Sequence, residues 1–271
     1  MIDKELQAFY NEYCKIPIIA DGREKLKWDY FKKHLNNYTL YKYISFTEDC
    51  TLNNIKLETL RRNNLWFAAH HTLHENDPSE FKVTANMVRI HKQTGLSFAE
   101  ISHLLNIFRE LNDVCCLSDR LHEYMWENYA NNHSGICCVF SITDVDILYP
   151  VIYCNKKNID FTSLLVQSLR NRNSDCEATR RLSFIPNVLK DEQKYGEEHE
   201  VRLLSGEIYD KEESILGGRV EAGKKKDLGY KGTSYSYSNC GLSLEKIIIG
   251  KNTPMDIVEK LKELSVIIEL E

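Results

Sequence analysis

Hydrophobic residues fall at helical spacing through the first 36 residues, where Leu6, Phe9, Tyr10 and Tyr13 form one stripe and Leu26, Tyr30, Phe31 and Leu35 a second. The pattern then changes to period two. "YTLYKYISF" (38–46) is rich in β-branched and aromatic residues and predicts a strand, "LETLRRN" a short helix, and "LWFAA" a second strand. "SFAEISHLLNIFREL" (97–111) returns to the helical period, with Ser97 placed as N-cap and Glu100 as its capping-box partner.

Strands are expected at "VCCLS", "GICCVFS" and "ILYPVIYC", the last bent at Pro150, with a helix over "DRLHEYMWENYANN" between the first two. Residues 156–194 read as helical and irregular, and "EVRLL" as a strand. The polar, turn-rich stretch 221–241 reads as a mobile loop. The chain closes on strand "KIIIG", Thr253 as N-cap with Pro254 at the first helical position, helix "MDIVEKLKEL" and strand "VIIEL". This order predicts one mixed α+β domain over residues 1–271, with a helical segment at 1–37 and a central, mainly antiparallel or split sheet flanked by helices.

Composition narrows the function classes. The 271 residues carry a net charge of −5, which argues against a protein that coats nucleic acid through bulk electrostatics. No apolar run approaches the ~20 residues that cross a bilayer, and the start lacks a signal-peptide stretch. The nine cysteines show no C-x-x-C spacing, and the adjacent pairs Cys115-Cys116 and Cys137-Cys138 read as small buried residues. A reducing cytoplasm without membrane contact is the expected setting. Glycine-rich phosphate loops and a G-x-S-x-G elbow are absent.

The candidate chemistry centres on "KYGEEHEVRLL" (194–204). In an extended strand Glu198, Glu200 and Arg202 point to one face. One carboxylate of such a pair can bind a ribose hydroxyl and stabilise positive charge at an anomeric carbon, while the other orients or activates a nucleophile. The same spacing serves an exposed, salt-bridged strand equally well.

"AHHTLHEND" offers His70, His71 and His74, but it follows a strand and runs into Asn-Asp-Pro, so exposed loop histidines are expected and no metal site is assigned. "MWENYANNHSG" puts Met125, Trp126 and Tyr129 on one aromatic face, followed by Asn132, His133 and Gly135. Gly135 there reads as a left-handed cap.

Together the segments "LYKY", "TLRRNNLWF…NDP", "CLS" with "MWENYANNHSGICCVF", and "YGEEHEVRLL" resemble an uncharacterised bacterial family, the domain of unknown function 2971. Asn76, Asp77, Trp126, Tyr129, His133, Glu198, Glu200 and Arg202 keep that family's pattern. Ile44, Asn128, Glu75 and Ser79 depart from it. The order of strands is also similar to the layout of ADP-ribosyltransferase folds, which grip NAD between two small sheets. That resemblance implies Tyr41 and Lys42 on the adenosine side and Ser118 beside the nicotinamide ribose. It implies Trp126 or Tyr129 stacked on a ring, Glu200 stabilising an oxocarbenium-like transition state and Glu198 orienting the acceptor.

The expectation is an NAD-using transferase or glycohydrolase of bacterial toxin or anti-phage defence type, with NAD or a related nucleotide as small-molecule partner and a protein or nucleic acid as acceptor. Two other readings stand beside it. One is a metal-dependent nucleic-acid-processing protein using Asp77, the glutamate pair and Arg170, Arg172, Arg180 and Arg181. The other is a non-catalytic interaction module of a defence operon.

Overall fold

The computed structural model describes residues 4–76, 83–154, 159–171, 175–206 and 225–271. In chain order the helices are α1 (Lys4–Tyr13), α2 (Gly22–His34), α3 (Cys50–Arg61), α4 (His70–Asn76), α5 (Met87–Thr94), α6 (Phe98–Glu110), α7 (Glu123–Tyr129), α8 (Thr162–Arg170), α9 (Glu177–Phe184), α10 (Glu192–Tyr195) and α11 (Met255–Lys262). The strands are β1 (Thr39–Ile44), β2 (Asn64–Ala69), β3 (Val83–Thr84), β4 (Asp113–Ser118), β5 (Ile136–Ile142), β6 (Leu148–Pro150), β7 (Ile152–Cys154), β8 (Ile159–Asp160), β9 (Leu189–Asp191), β10 (Glu200–Leu204), β11 (Gly232–Ser236), β12 (Leu242–Ile249) and β13 (Ile267–Leu270). The protein is α+β.

Seven strands run in the order β11-β2-β4-β1-β5-β12-β13, and β10 leaves this path to pair with β4 and β6. All pairs in this nine-stranded sheet are antiparallel except β12 with β13, which α11 connects as a parallel crossover. The branching happens at β4. One side of β4 pairs with β10 along its length, from Glu200↔Ser118 to Leu204↔Val114. The other side is shared: β2 faces Asp113 and Val114, and β1 meets only Ser118. Between those contacts, residues 115–117 face no strand on that side, so the sheet is split there. Lys42 of β1 reaches across, and its Nζ donates to the open carbonyl of Cys116 at 2.9 Å.

The core follows the period-two pattern. Leu40, Phe67, Cys115, Leu117, Ile136, Cys138, Phe140, Val201, Leu203 and Ile247 pack as one cluster against α2, α3 and α11. The cysteines are all free, and Cys115, Cys137 and Cys138 are buried as small apolar residues. Helix α1 buries the stripe its spacing predicts, and Tyr10 Oη donates to the Pro150 carbonyl at 2.6 Å. Helix α2 turns two cations inward beside Phe31. Arg23 lies 4.1 Å above the Tyr13 ring and Lys27 3.7 Å above Tyr149, where the ring faces attract positive charge. The capping box forms at α6, with Ser97 N donating to Glu100 Oε2 at 2.7 Å.

Five local expectations are corrected. Helix α3 begins at Cys50, well before "LETLRRN", because Asp49 caps it through Leu52 N at 3.0 Å. His70–Asn76 is a helix and not a loop, and His70 is buried. Of the 221–241 stretch, residues 221–224 lie outside the described residues, and 225–241 carry β11, paired with β2, where Tyr235 packs edge-on to Phe67. Pro254, not Thr253, occupies the N-cap of α11, while the Thr253 hydroxyl donates to Gly135 O at 2.7 Å.

The fifth correction concerns the end of α7. The helix stops at Tyr129, and Asn131, Asn132 and His133 take left-handed φ values of 50°, 51° and 63°. Such a turn is costly for side-chain-bearing residues. It is held by Asn131 Nδ2 on Phe46 O at 2.8 Å and by Asn252 Nδ2 on Asn132 O at 2.9 Å. Gly135 is not the left-handed cap. A Cβ there would lie 2.2 Å from Ile44 O, so its role is to let β1 and β5 close up.

Candidate functional site

The split in the sheet opens into a cavity of about 400 Å³, within the range of small-molecule sites. Its walls come from β1 (Tyr41, Lys42, Tyr43), β2 (Trp66), β4 (Cys116), α7 (Met125, Tyr129), and the acidic segment with its neighbours (Lys190, Tyr195, Glu198, Glu200, Arg202). Tyr41, Lys42, Tyr129, Glu198, Glu200 and Arg202, far apart in sequence, are thus brought to one place.

The acidic row is buried rather than a solvated edge, since Glu198, Glu200 and Arg202 are 3%, 5% and 1% exposed. Strand β10 supplies only Glu200 and Arg202. Glu198 stands two residues before it, in a 3-10 turn at Gly196–Glu198, and the chain enters β10 through His199 at φ 48°. That left-handed residue is fixed by Asp119 N donating to His199 O at 2.8 Å.

Arg202 Nε donates to Glu200 Oε1 at 2.6 Å, and Arg202 Nη1 to Asn187 O at 2.8 Å. Lys190 joins the two carboxylates, with Nζ 2.6 Å from Glu200 Oε2 and in contact with Glu198 Oε2. The Tyr129 hydroxyl donates to Glu198 Oε1. Glu200 N donates to the Tyr153 hydroxyl at 2.7 Å.

These contacts drive the two carboxyls apart in acidity. Burial pushes Glu198 up, Lys190 opposes it, and the neighbouring Glu200 charge adds to the rise. Burial works on Glu200 as well, but Arg202 and then Lys190 outweigh it and hold the group well below the usual carboxylate range. Glu200 is therefore a fixed anion, and Glu198 is the carboxyl that holds a proton more readily. Burial likewise raises Tyr129, keeping its phenol protonated as a donor. Lys42, Lys190 and Arg202 outnumber the two carboxylates on the wall, which favours a ligand bearing negative charge.

Three expected contacts are spent elsewhere. Ser118 is fully buried, and its hydroxyl donates to the Glu198 carbonyl at 2.9 Å, so it supports the acidic turn from behind. Trp126 stands edge-on to Tyr43 and stacks on His133 with ring centroids 5.8 Å apart. His133 is clamped by Glu271 on Nδ1 at 2.7 Å and by Glu123 on Nε2 at 3.1 Å, away from the cavity. Glu123, His133 and Glu271 bring ligand-type atoms within 4.8 Å of one another, a grouping that no spacing in the chain marks. Asn76 ends α4, whose Leu73 lines the cavity, and Asp77 lies outside the described residues.

Lys190, Tyr195 and Trp66 were missed by sequence reasoning. Lys190 sits in a three-residue strand beside β7, opposite Tyr153, and no motif marks it. Among the described residues, the cluster's arginines are engaged with protein partners, and Arg170 Nη2 donates to Gln93 O at 3.2 Å. Arg180 is 4% exposed and donates to Cys14 O, Lys15 O and Asp175, and Arg181 pairs with Glu177. Arg172 lies outside the described residues.

Residues 125–203, the stretch running from α7 into β10, match the model of a family described as Protein of unknown function (DUF2971). No curated protein and no solved structure matches the chain. Among the described residues, no helix is long and apolar enough to cross a membrane.

Proposed function

We propose that the protein cleaves the glycosidic bond between nicotinamide and ribose in NAD, with the cavity at the sheet split as the active site. The observation that carries this reading is the pair Glu198 and Glu200 on one wall, held close by a shared lysine yet with opposite acidity shifts. Loss of nicotinamide leaves positive charge on the ribose. A carboxylate that stays ionised in a dry site stabilises that charge without reorganising, and Glu200 has that property. The acceptor must lose a proton as it attacks, and Glu198 is the group positioned to take it.

The remaining walls suit the rest of such a substrate. Tyr41, Tyr43, Trp66, Tyr129 and Tyr195 offer ring surfaces, and Lys42 offers an ammonium, donating to Cys116 O at 2.9 Å, on the same wall. Purified protein mixed with NAD is expected to release nicotinamide, measured by chromatography. No release, with or without added cell lysate, overturns the proposal.

A further inference from the structure

We infer that the acceptor in this reaction is water, so that the protein is an NAD glycohydrolase rather than a transferase onto a macromolecule; the inference rests on the reading above. Among the described residues lining the cavity, Trp66 at 47% and Tyr129 at 38% are the most exposed, so the mouth lies between them. The reacting groups lie behind it, with the Glu198 and Glu200 side chains 4% and 3% exposed and Lys190 at 8%. Tyr129 covers Glu198 from the solvent side through its hydroxyl. Strand β10 is paired to β4 along its length and to β6 from Val201 to Leu203, and Glu200 also borders a separate hollow with Pro150, Val151 and Tyr153.

A space of about 400 Å³ accommodates one small ligand. A nucleotide that enters by the mouth with its ribose at the two carboxylates occupies the passage it used. The acceptor must then already be inside, next to Glu198, and a water molecule meets that condition where a protein side chain or nucleic-acid base does not. Attack forms a bond from the water oxygen to the anomeric carbon as the bond to the pyridinium nitrogen breaks. The released electron pair returns to that nitrogen, nicotinamide leaves neutral, and the water proton passes to Glu198 and then to solvent.

The test is the fate of the nucleotide. NAD labelled with phosphorus-32 in the adenylate phosphate is incubated with the intact protein in lysate containing protein and nucleic acid. Free labelled ADP-ribose equal to the nicotinamide released, with no label precipitating with macromolecules, is the expected result. A folded Glu198→Gln variant should lower release about 100-fold or more while NAD binding, followed by calorimetry, persists. Label on macromolecules, including this chain itself, overturns the inference and leaves the NAD reading standing. Absence of any nicotinamide release overturns both.

Discussion

Replacing Lys190 with methionine removes the cation that holds Glu198 and Glu200 together. All three side chains are less than a tenth exposed, so solvent does little to screen the change. Removing one partner of a buried ion pair costs about 3–5 kcal/mol. Here Glu200 keeps Arg202 and Glu198 keeps the Tyr129 hydroxyl, and Glu198 can also escape the penalty by taking up a proton. The lower end, about 3 kcal/mol, is therefore expected at pH 8, which for a chain of this size lowers Tm by roughly 6–12 °C. Lys190 is the largest influence opposing the rise of Glu198, so its loss moves that carboxyl further up.

A carboxyl whose folded value lies above its unfolded value binds its proton more tightly when folded. Stability then rises as pH falls through the folded value and levels off below the unfolded one. The variant should accordingly lose less relative to the parent at pH 5 than at pH 8. Thermal unfolding at both pH values measures this. Equal losses at the two pH values, or no loss, would refute the assigned ion-pair network.

Three further outcomes follow from the packing. Gly135→Ala forces a methyl group to 2.2 Å from Ile44 O, which must open the β1–β5 pairing and cost about 1–3 kcal/mol or more in denaturant unfolding. Ser97→Ala removes the capping box of α6 and should cost about 1 kcal/mol by the same measurement. Ser118→Ala leaves the Glu198 carbonyl without its buried donor, and should cost about 1–3 kcal/mol and loosen the acidic turn, seen as faster exchange of the Asp119 amide that bonds His199.

Segments whose local pattern agrees with their place in the fold were readable in the sequence. The α1 stripe buries the residues its spacing names, the capping box forms, and "EVRLL" is a buried strand. The departures have definite causes. Proline constrains the residue before it, so Pro78 leaves room for a seven-residue helix ending at Asn76. Strand β11 is polar because it lies at the edge of the sheet, where a strand need bury little more than Tyr235. The end of α7 depends on Asn252, Phe46 and Glu271, partners from other parts of the chain.

The candidate site divides in the same way. Glu198, Glu200, Arg202 and Tyr129 sit in segments with a visible pattern and meet in the cavity. Lys190 does its work from a three-residue strand through contacts to residues eight and ten positions on, which no periodicity encodes. Trp126 and His133 carried the right residue types for a ligand platform, but they stack on each other.

The central claim is that the ionised Glu200 stabilises a sugar cation in the split of the sheet. Its most direct test is the rate of nicotinamide release by a folded Glu200→Gln variant against the parent protein, with NAD affinity measured in parallel. Release should fall by about 10²–10³-fold, the loss of one preorganised electrostatic group, while affinity changes far less. A variant that releases nicotinamide at the parental rate would contradict the account.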